Sequence, residues 1–445
     1  MENNKNIIPN SLPLTIFEKY MLLDDSLAYP MDSFRNLRFS GSLNIELFEL
    51  SILSVVRFHP LLNSKIRYDS RLGYVWEDTS QPVFIRHVKT QTISTEPIPE
   101  RIDIFNESGF KVYIAENSDG YSILFQFHHV VSDGLGEMNL IADILTDYND
   151  RINGKIPQEN PHDLDLSLLK LRGSSGLTLK KYFRYFIDTA FTTNQLLLRT
   201  PSPLMPCIKR DLNEPDQNYY QRIAIELSAE DTSKYFASAK LNNVTINDLL
   251  IRDLFLAMNK CRDEWGYSRR RAWLRITMPM SLRTELHKRI PASNNVTMVF
   301  IDRRRAACSD ADKLLQGISR ETNWIKRTEQ KHVLLLSLQI CNFLPGGIGR
   351  ILRTRECRAT AVLSNLGRVF ESLQLPKRSD GRLMLGNAVL EEVDASPPIR
   401  LGTLISISAL TYSNRLRLIL RYDAKNMTQD KAGQFLQTIY HLHDK

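Results

Sequence analysis

Tyr121-Ser-Ile-Leu-Phe-Gln-Phe-His128-His129-Val-Val-Ser-Asp133-Gly134-Leu-Gly-Glu137 is the stretch that decides how this chain is read. Residues 121, 123, 125 and 127 are apolar and alternate with the rest, the period of a half-buried strand. Met138, Ile141, Leu145 and Tyr148 then fall three or four apart, the period of a helix. Successive strand residues point to opposite faces, so the two histidines at the strand's end face opposite ways. One of them can look into a cavity while the other supports the backbone. Ser132 or Asp133 suits the N-cap of the following helix, and Gly134 eases the turn into it.

Upstream, the signals alternate in the same way. Leu12 to Leu23 reads as a helix, Phe34 to Phe39 as a strand, and Asn44 to Val56 as an amphipathic helix stopping before His59-Pro60; strands follow at 65–68, 83–88 and 110–115. This mixture predicts an α/β sandwich over residues 1–175. Residues 176–218 read as an interdomain linker and helix. The stretch Leu177 to Leu198, rich in Lys, Tyr and Phe, suits an interdomain helix with a broad apolar stripe, or else a helix touching membrane. A second α/β half is expected over 219–445. Ile223, Ile225 and Leu227 alternate, Ser228 caps a helix, Thr245 to Met258 is helical and Ala272 to Met278 a strand. Ser406 to Leu410 and Leu416 to Tyr422 form a hairpin through Ser413-Asn414, and Thr428 to His441 closes the chain as a helix.

Composition narrows the function classes. A chain of 445 residues, 42% hydrophobic and 24% charged, has the make-up of a globular protein of two or three domains. Its five cysteines follow no CxxC spacing and pair with no histidine in a metal pattern, so they read as free thiols and no metal is expected. The first residues lack the basic start and apolar core of a signal peptide, and the longest apolar run, Val333 to Leu344, is too short to span a bilayer. A cytoplasmic protein is expected. The net charge of +8 includes Arg-rich patches at 268–275, 302–305 and 350–358, suited to phosphates, an acidic carrier protein or anionic lipid. Basic residues are not interleaved with aromatics as nucleic-acid binding would require.

The fixed positions His128-His129-x-x-x-Asp133-Gly134 resemble the signature of the acyltransferase superfamily related to chloramphenicol acetyltransferase. It includes condensation domains, plant BAHD enzymes, alcohol acetyltransferases, mycobacterial polyketide-associated acyltransferases and wax ester synthases. Weaker similarities run through most of the chain. Arg57-Phe-His59-Pro60 resembles the helix end before the first sheet strand of condensation domains. Thr245-Ile-Asn247-Asp248 resembles a helix start in wax ester synthases. Pro279-Met-Ser281-Leu-Arg283, followed by Asn294-Asn295, resembles the stretch carrying an arginine near the motif aspartate, and Ser364-Asn365-Leu-Gly367 a strand end reaching the active-site channel. The Asp-Phe-Gly-Trp-Gly box of the BAHD enzymes is missing, and Leu62 stands where condensation domains have a second arginine.

The resemblance implies two chloramphenicol acetyltransferase-like α/β lobes forming an internal pseudo-dimer, with the active-site tunnel between them. It implies an enzyme that moves an acyl group from acyl-CoA or an acyl-carrier thioester to a hydroxyl or amine, O-acyl transfer being favoured. His129 is the expected general base, since an ordinary imidazole titrates around 6.5 and is largely neutral near pH 7. His128 would orient the strand end and Gly134 would let backbone approach the donor. Asp133 would hold the loop with Arg283 as partner, or Arg57 as the alternative, and Ser364 and Asn365 would contact the acceptor or an oxyanion. No bound cofactor is expected, only coenzyme A or a phosphopantetheine thioester as co-substrate. The acceptor would be a small molecule or a lipid, and the chain a monomer with peripheral membrane contact as one reading of 177–198. The alternatives are amide formation from carrier-bound substrates, and a catalytically idle relative that binds a carrier or lipid. Periodicity leaves open whether Phe125, Trp273, Met278 or Phe300 line the tunnel.

Overall fold

The alternation ending at His128 builds a central strand, Gly120–His128, buried on both faces. In the computed structural model, which describes residues 12–89, 99–158, 160–173, 198–208, 210–267, 272–345, 347–352 and 357–442, this strand lies in a six-stranded sheet. The order is Met384–Leu385, Ala388–Ser396, Asp32–Ser40, Gly120–His128, Phe110–Asn117 and Phe84–Lys89. Only the last pair runs parallel. Helices Ile45–Val56 and Gly134–Ile152 pack on each other and bury Phe48, Ile52, Val55, Leu140, Ile141 and Ile144 in the same core as Leu37, Phe39, Phe125 and Phe127. A small three-stranded sheet of Leu12–Pro13, Gly73–Asp78 and Ser64–Asp69 completes this lobe.

The second lobe has its own six-stranded sheet, in the order Val296–Arg304, Trp273–Ser281, Ala361–Arg368, Ile405–Tyr412, Arg415–Tyr422 and Arg222–Glu226. Helices Ala229–Leu241, Ile246–Glu264, Ala311–Arg327 and Gln429–Leu442 cover it around a separate core. The hairpin turn is Ser413-Asn414 as expected; both residues have positive φ, 50° and 59°, the conformation that matches the twist of the flanking strands. Two α/β lobes are thus the architecture of this chain.

Chain order and lobes do not coincide throughout. The strand Ala388–Ser396, from the stretch expected in the second lobe, pairs antiparallel with Asp32–Ser40 in the first sheet. Nothing in the local alternation of 388–396 distinguishes the sheet it joins; tertiary pairing decides it. The opening helix is shorter than expected, Ile16–Asp24, because Thr15 and Glu18 form a capping box and Leu12–Pro13 extends into a strand. The expected helix at 177–198 falls, save Leu198, outside the described residues, as do 268–271 and 353–356 of the Arg-rich patches. No helix among the described residues is long and apolar enough to cross a membrane.

Buried polar contacts join the lobes. Arg421, fully buried on the second sheet, donates to the carbonyls of Asp32 (2.7 Å), Tyr219 (3.0 Å) and Pro397 (3.2 Å) and lies 5.2 Å from the Phe34 ring centre. Burial pushes this guanidinium down to about 10. Tyr29 donates to Asp423 at 2.9 Å, and Arg400 to Asp24 at 2.8 Å.

Candidate active site

The motif strand ends where the first lobe meets the second. His129 N–H donates to the Met31 carbonyl (2.7 Å), Val131 N–H to the His128 carbonyl (2.9 Å), and the chain turns into the helix at Asp133. Asp133 rather than Ser132 is the N-cap, its Oδ1 accepting the Gly136 N–H at 3.0 Å. Its Oδ2 accepts from Arg283 Nη1 (2.7 Å) and from the Asn295 N–H (2.7 Å). Arg283, not Arg57, is therefore its partner; Arg57 lies over the ring of Phe58. One carboxylate caps a helix of the first lobe and is gripped by a loop of the second.

That loop holds the turn at further points. Asn294 Nδ2 donates to the carbonyls of His129 (2.8 Å) and Val130 (2.6 Å). Ala292 N–H donates to Nδ1 of the buried His59 at 2.8 Å, and burial lowers that imidazole to about 3, so it stays neutral. His59, first read as part of a helix stop, is thus a contact between lobes.

His129 lines a cavity of about 240 Å³ between the lobes. Its side chain is 16% exposed. Nδ1 lies 3.0 Å from the Ser132 carbonyl oxygen, which can only accept, so the bond requires the proton on Nδ1. This leaves Nε2 with its lone pair, and no described residue bonds it. A buried carboxylate that the sequence reading did not single out stands behind the ring: Glu137 Oε1 is 3.7 Å from Nδ1 and accepts from Ser33 Oγ at 2.8 Å. Glu137 Oε2 pairs with Arg35 Nη2 at 2.7 Å, and both side chains are almost wholly buried. The signal was there in phase. Glu137 shares a helix face with Ile141, Ile144 and Tyr148, and Arg35 has the strand parity of Leu37 and Phe39, so each is a charge at a core position.

His128 faces the other way. It is fully buried, with Nδ1 3.4 Å from the Val130 N–H and Nε2 3.8 Å from Asp25 Oδ2. Burial raises both carboxyls near it, yet Asp25 ends below the ordinary range because His128 and Arg101 favour its charged form. Asp32, also fully buried, ends at about 6, its burial outweighing the favourable charge of His128.

Gly134, Ser364 and Asn365 gather on the cavity. Gly134 lines it, but a Cβ there would lie 3.0 Å from Arg35 Nη2 and 3.1 Å from Leu366 Cδ2. A side chain at 134 would therefore crowd Arg35 and Leu366 at the cavity. Ser364 and Asn365 line the wall from the second lobe. Asn365 Oδ1 accepts the Gly367 N–H at 2.9 Å, which orients the amide and leaves its N–H groups for a ligand. Phe125, Trp273, Met278 and Phe300 are not among the lining residues. Strand parity puts Pro279 and Ser281 there instead, with Met298 and Val296 opposite them on the neighbouring strand. Among the described residues no cluster of His, Cys, Asp or Glu could hold a metal, and the five cysteines are free. The arrangement offers one unprotonated imidazole nitrogen, an apolar wall and hydrogen-bond donors across a lobe boundary, which is the equipment of general-base chemistry on an apolar substrate.

The sequence profile of the Condensation domain matches residues 19–267. In structure, the chain is similar to the first condensation domain of the CDA synthetase, with a TM-score of 0.73, 12% identity, and 99% of this chain and 97% of that one covered. It is similar also to the epimerization domain from the third module of tyrocidine synthetase B (TM-score 0.70, 13% identity, coverage 100% and 97%). A third likeness is to a mutant starter condensation domain of rhizomide synthetase in complex with C8-CoA (TM-score 0.66, 13% identity, coverage 97% and 94%). No curated protein matches the sequence.

Proposed function

The chain belongs to the condensation-domain family, and from that premise we propose that it transfers an acyl group from a thioester to a hydroxyl or amine, a hydroxyl being favoured, with His129 as general base. The observation that carries the reading is the Nδ1 contact with the Ser132 carbonyl, which leaves Nε2 of a cavity-lining histidine as the acceptor.

The acceptor's O–H or N–H gives its proton to Nε2 as its lone pair attacks the thioester carbonyl. The new C–O or C–N bond leaves a tetrahedral oxyanion, for which Ser364 and the amide N–H groups of Asn365 are donors on the second-lobe wall of the cavity. Collapse breaks the C–S bond, and the proton on His129 passes to the departing thiolate. Ester or amide and free thiol are the products. A thiolate leaves readily, so neither a metal nor a covalent intermediate is required. Glu137 stabilises the transient imidazolium, and holding both reactants between the lobes supplies the rest of the rate. Asp133 and Arg283 keep the turn in place; His128 fixes the strand end.

For the donor, a relative of the same fold crystallised with C8-CoA supports an acyl-CoA. The family's name favours the second reading, an amide formed from carrier-bound substrates. Free cysteines suit a reducing, cytoplasmic setting, and we read the chain as a monomer that takes a small or lipid acceptor. Offering the protein acyl-CoA and acyl-carrier thioesters, each with an alcohol or an amine, and following thiol release separates the readings. His129→Ala is expected to lower that release by about two to four orders of magnitude. Near-normal turnover in this variant, or no turnover by the wild-type protein on any thioester, would refute the proposal, the latter in favour of an idle binding relative.

A further inference from the structure

The helix Val333–Phe343 is held down by Val333, Leu335 and Leu338, yet its far end is turned outward. Ile340 is 62% exposed, Phe343 87% and Leu344 58%, three large apolar side chains within five residues, whereas the other exposed apolar side chains are more scattered along the chain. A single exposed leucine needs no account; a cluster at a helix tip does.

The charge beside it is mainly positive. From Gln330 to Leu352 the sequence carries Lys331 and Arg350 and no aspartate or glutamate, with Glu329 preceding this stretch. Arg350 is exposed and has no acidic partner among the described residues. Lys19, on the helix Ile16–Asp24, donates to Asn342 Oδ1 at 2.6 Å and so adds a cation beside Phe343. That same helix packs on both Val333–Phe343 and Gly347–Leu352, and its Phe17, Tyr20 and Met21 form part of the cavity wall. The apolar tip therefore stands one helix away from the candidate active site.

We propose that this tip docks the protein on an anionic lipid surface, Ile340, Phe343 and Leu344 entering the headgroup boundary while Lys19 and Arg350 meet the lipid charge. Apolar insertion and a basic flank are each weak anchors, and together they hold. Charge decides against the other occupants. A second copy of this chain would set the same cations against one another, and an acidic protein would pair with Lys19 and Arg350 without covering three protruding apolar groups. The docking deepens the reading above in one respect: if the acceptor is a lipid, it reaches the cavity from this side, past Ile16–Asp24.

Co-sedimentation with vesicles of phosphatidylcholine, with and without phosphatidylglycerol, tests it in the absence of any substrate. The wild-type protein is expected to pellet with the anionic vesicles, less so at high salt, and to stay in solution with phosphatidylcholine alone. Phe343→Asp and Ile340→Asp, both at exposed positions, are expected to weaken binding by about ten- to a hundredfold, with melting temperature and turnover of a water-soluble acceptor unchanged. Wild-type protein that remains in the supernatant, or variants that bind equally well, would overturn the proposal. So would a lipid-free dimer, seen by light scattering, that disappears in Phe343→Asp. Because the readout is vesicle binding, failure of the acyl-transfer reading would leave its outcome unaffected.

Discussion

His128 and His129 end the same strand one residue apart, and nothing around them is alike. The first is sealed in the lobe, 3.8 Å from one buried carboxylate and close enough to a second to bias its charge. The second stands at a lobe boundary with one nitrogen bound to a backbone carbonyl and the other unbonded at a cavity. The difference teaches that strand parity, not residue type, assigns an imidazole to structure or to chemistry. A one-residue slip of Gly120–His128 would exchange the two roles and lose both.

Exchange of each histidine for alanine is the sharpest way to break that contrast. His129→Ala should cost two to four orders of magnitude in turnover, about 3–5 kcal/mol of barrier, while urea denaturation shows less than about 1 kcal/mol of lost stability at this partly open site. His128→Ala should do the reverse. It strips Asp25 and Asp32 of their buried neighbour, a loss of about 3 kcal/mol in unfolding free energy, with turnover per folded molecule held within about tenfold. Equal effects of both substitutions on turnover would mean that the two faces are not separate.

Much of this contrast was legible in the sequence because it is local. Alternation up to Phe127 put the histidines on opposite faces, and Asp133-Gly134 marked the helix start. Arg283 was also reachable, through a resemblance that links it to the motif aspartate. What stayed hidden depends on residues far apart meeting in space. Strand 388–396 looks like any edge strand until it pairs with Asp32–Ser40, and the cavity wall at Val296 and Met298 follows from pairing with Ser281 and Pro279. Glu137 and Arg35 were visible as charges in phase with apolar residues, but nothing in either segment says that they find each other behind an imidazole.

On the sealed side, pH offers a further test through Asp32. Burial, helped by the charge of Asp25, raises this carboxyl from 3.8 to about 6. The folded protein thus keeps a proton there that the unfolded chain gives up near pH 3.8, so the group's contribution is intact below that pH and drains away as pH rises to about 6. Above it, two pKa units correspond to a cost of about 3 kcal/mol. Asp32→Asn removes the charge but puts an amide N–H where Oδ1 has no hydrogen-bond partner, so the gain should be about 2 kcal/mol at pH 8 and absent at pH 4. Thermal unfolding of both proteins at the two pH values measures it. A stabilisation that does not depend on pH would show that Asp32 is not the titrating group.

On the cavity side the smallest expected effect is the most informative. The Ser132 carbonyl already fixes the neutral imidazole, so the Glu137 carboxylate, 3.7 Å from Nδ1, adds little until His129 has taken a proton. An interaction that strengthens only as the imidazolium forms acts on the transition state and not on substrate binding. Glu137→Gln keeps the bond from Ser33 and the shape of the site, but faces the imidazolium with Arg35 uncompensated. We expect kcat to fall about tenfold, roughly 1.4 kcal/mol, with KM unchanged. Loss of stability with kcat intact would instead make Glu137 a structural partner of Arg35, and His129 would then work with the Ser132 carbonyl alone behind it.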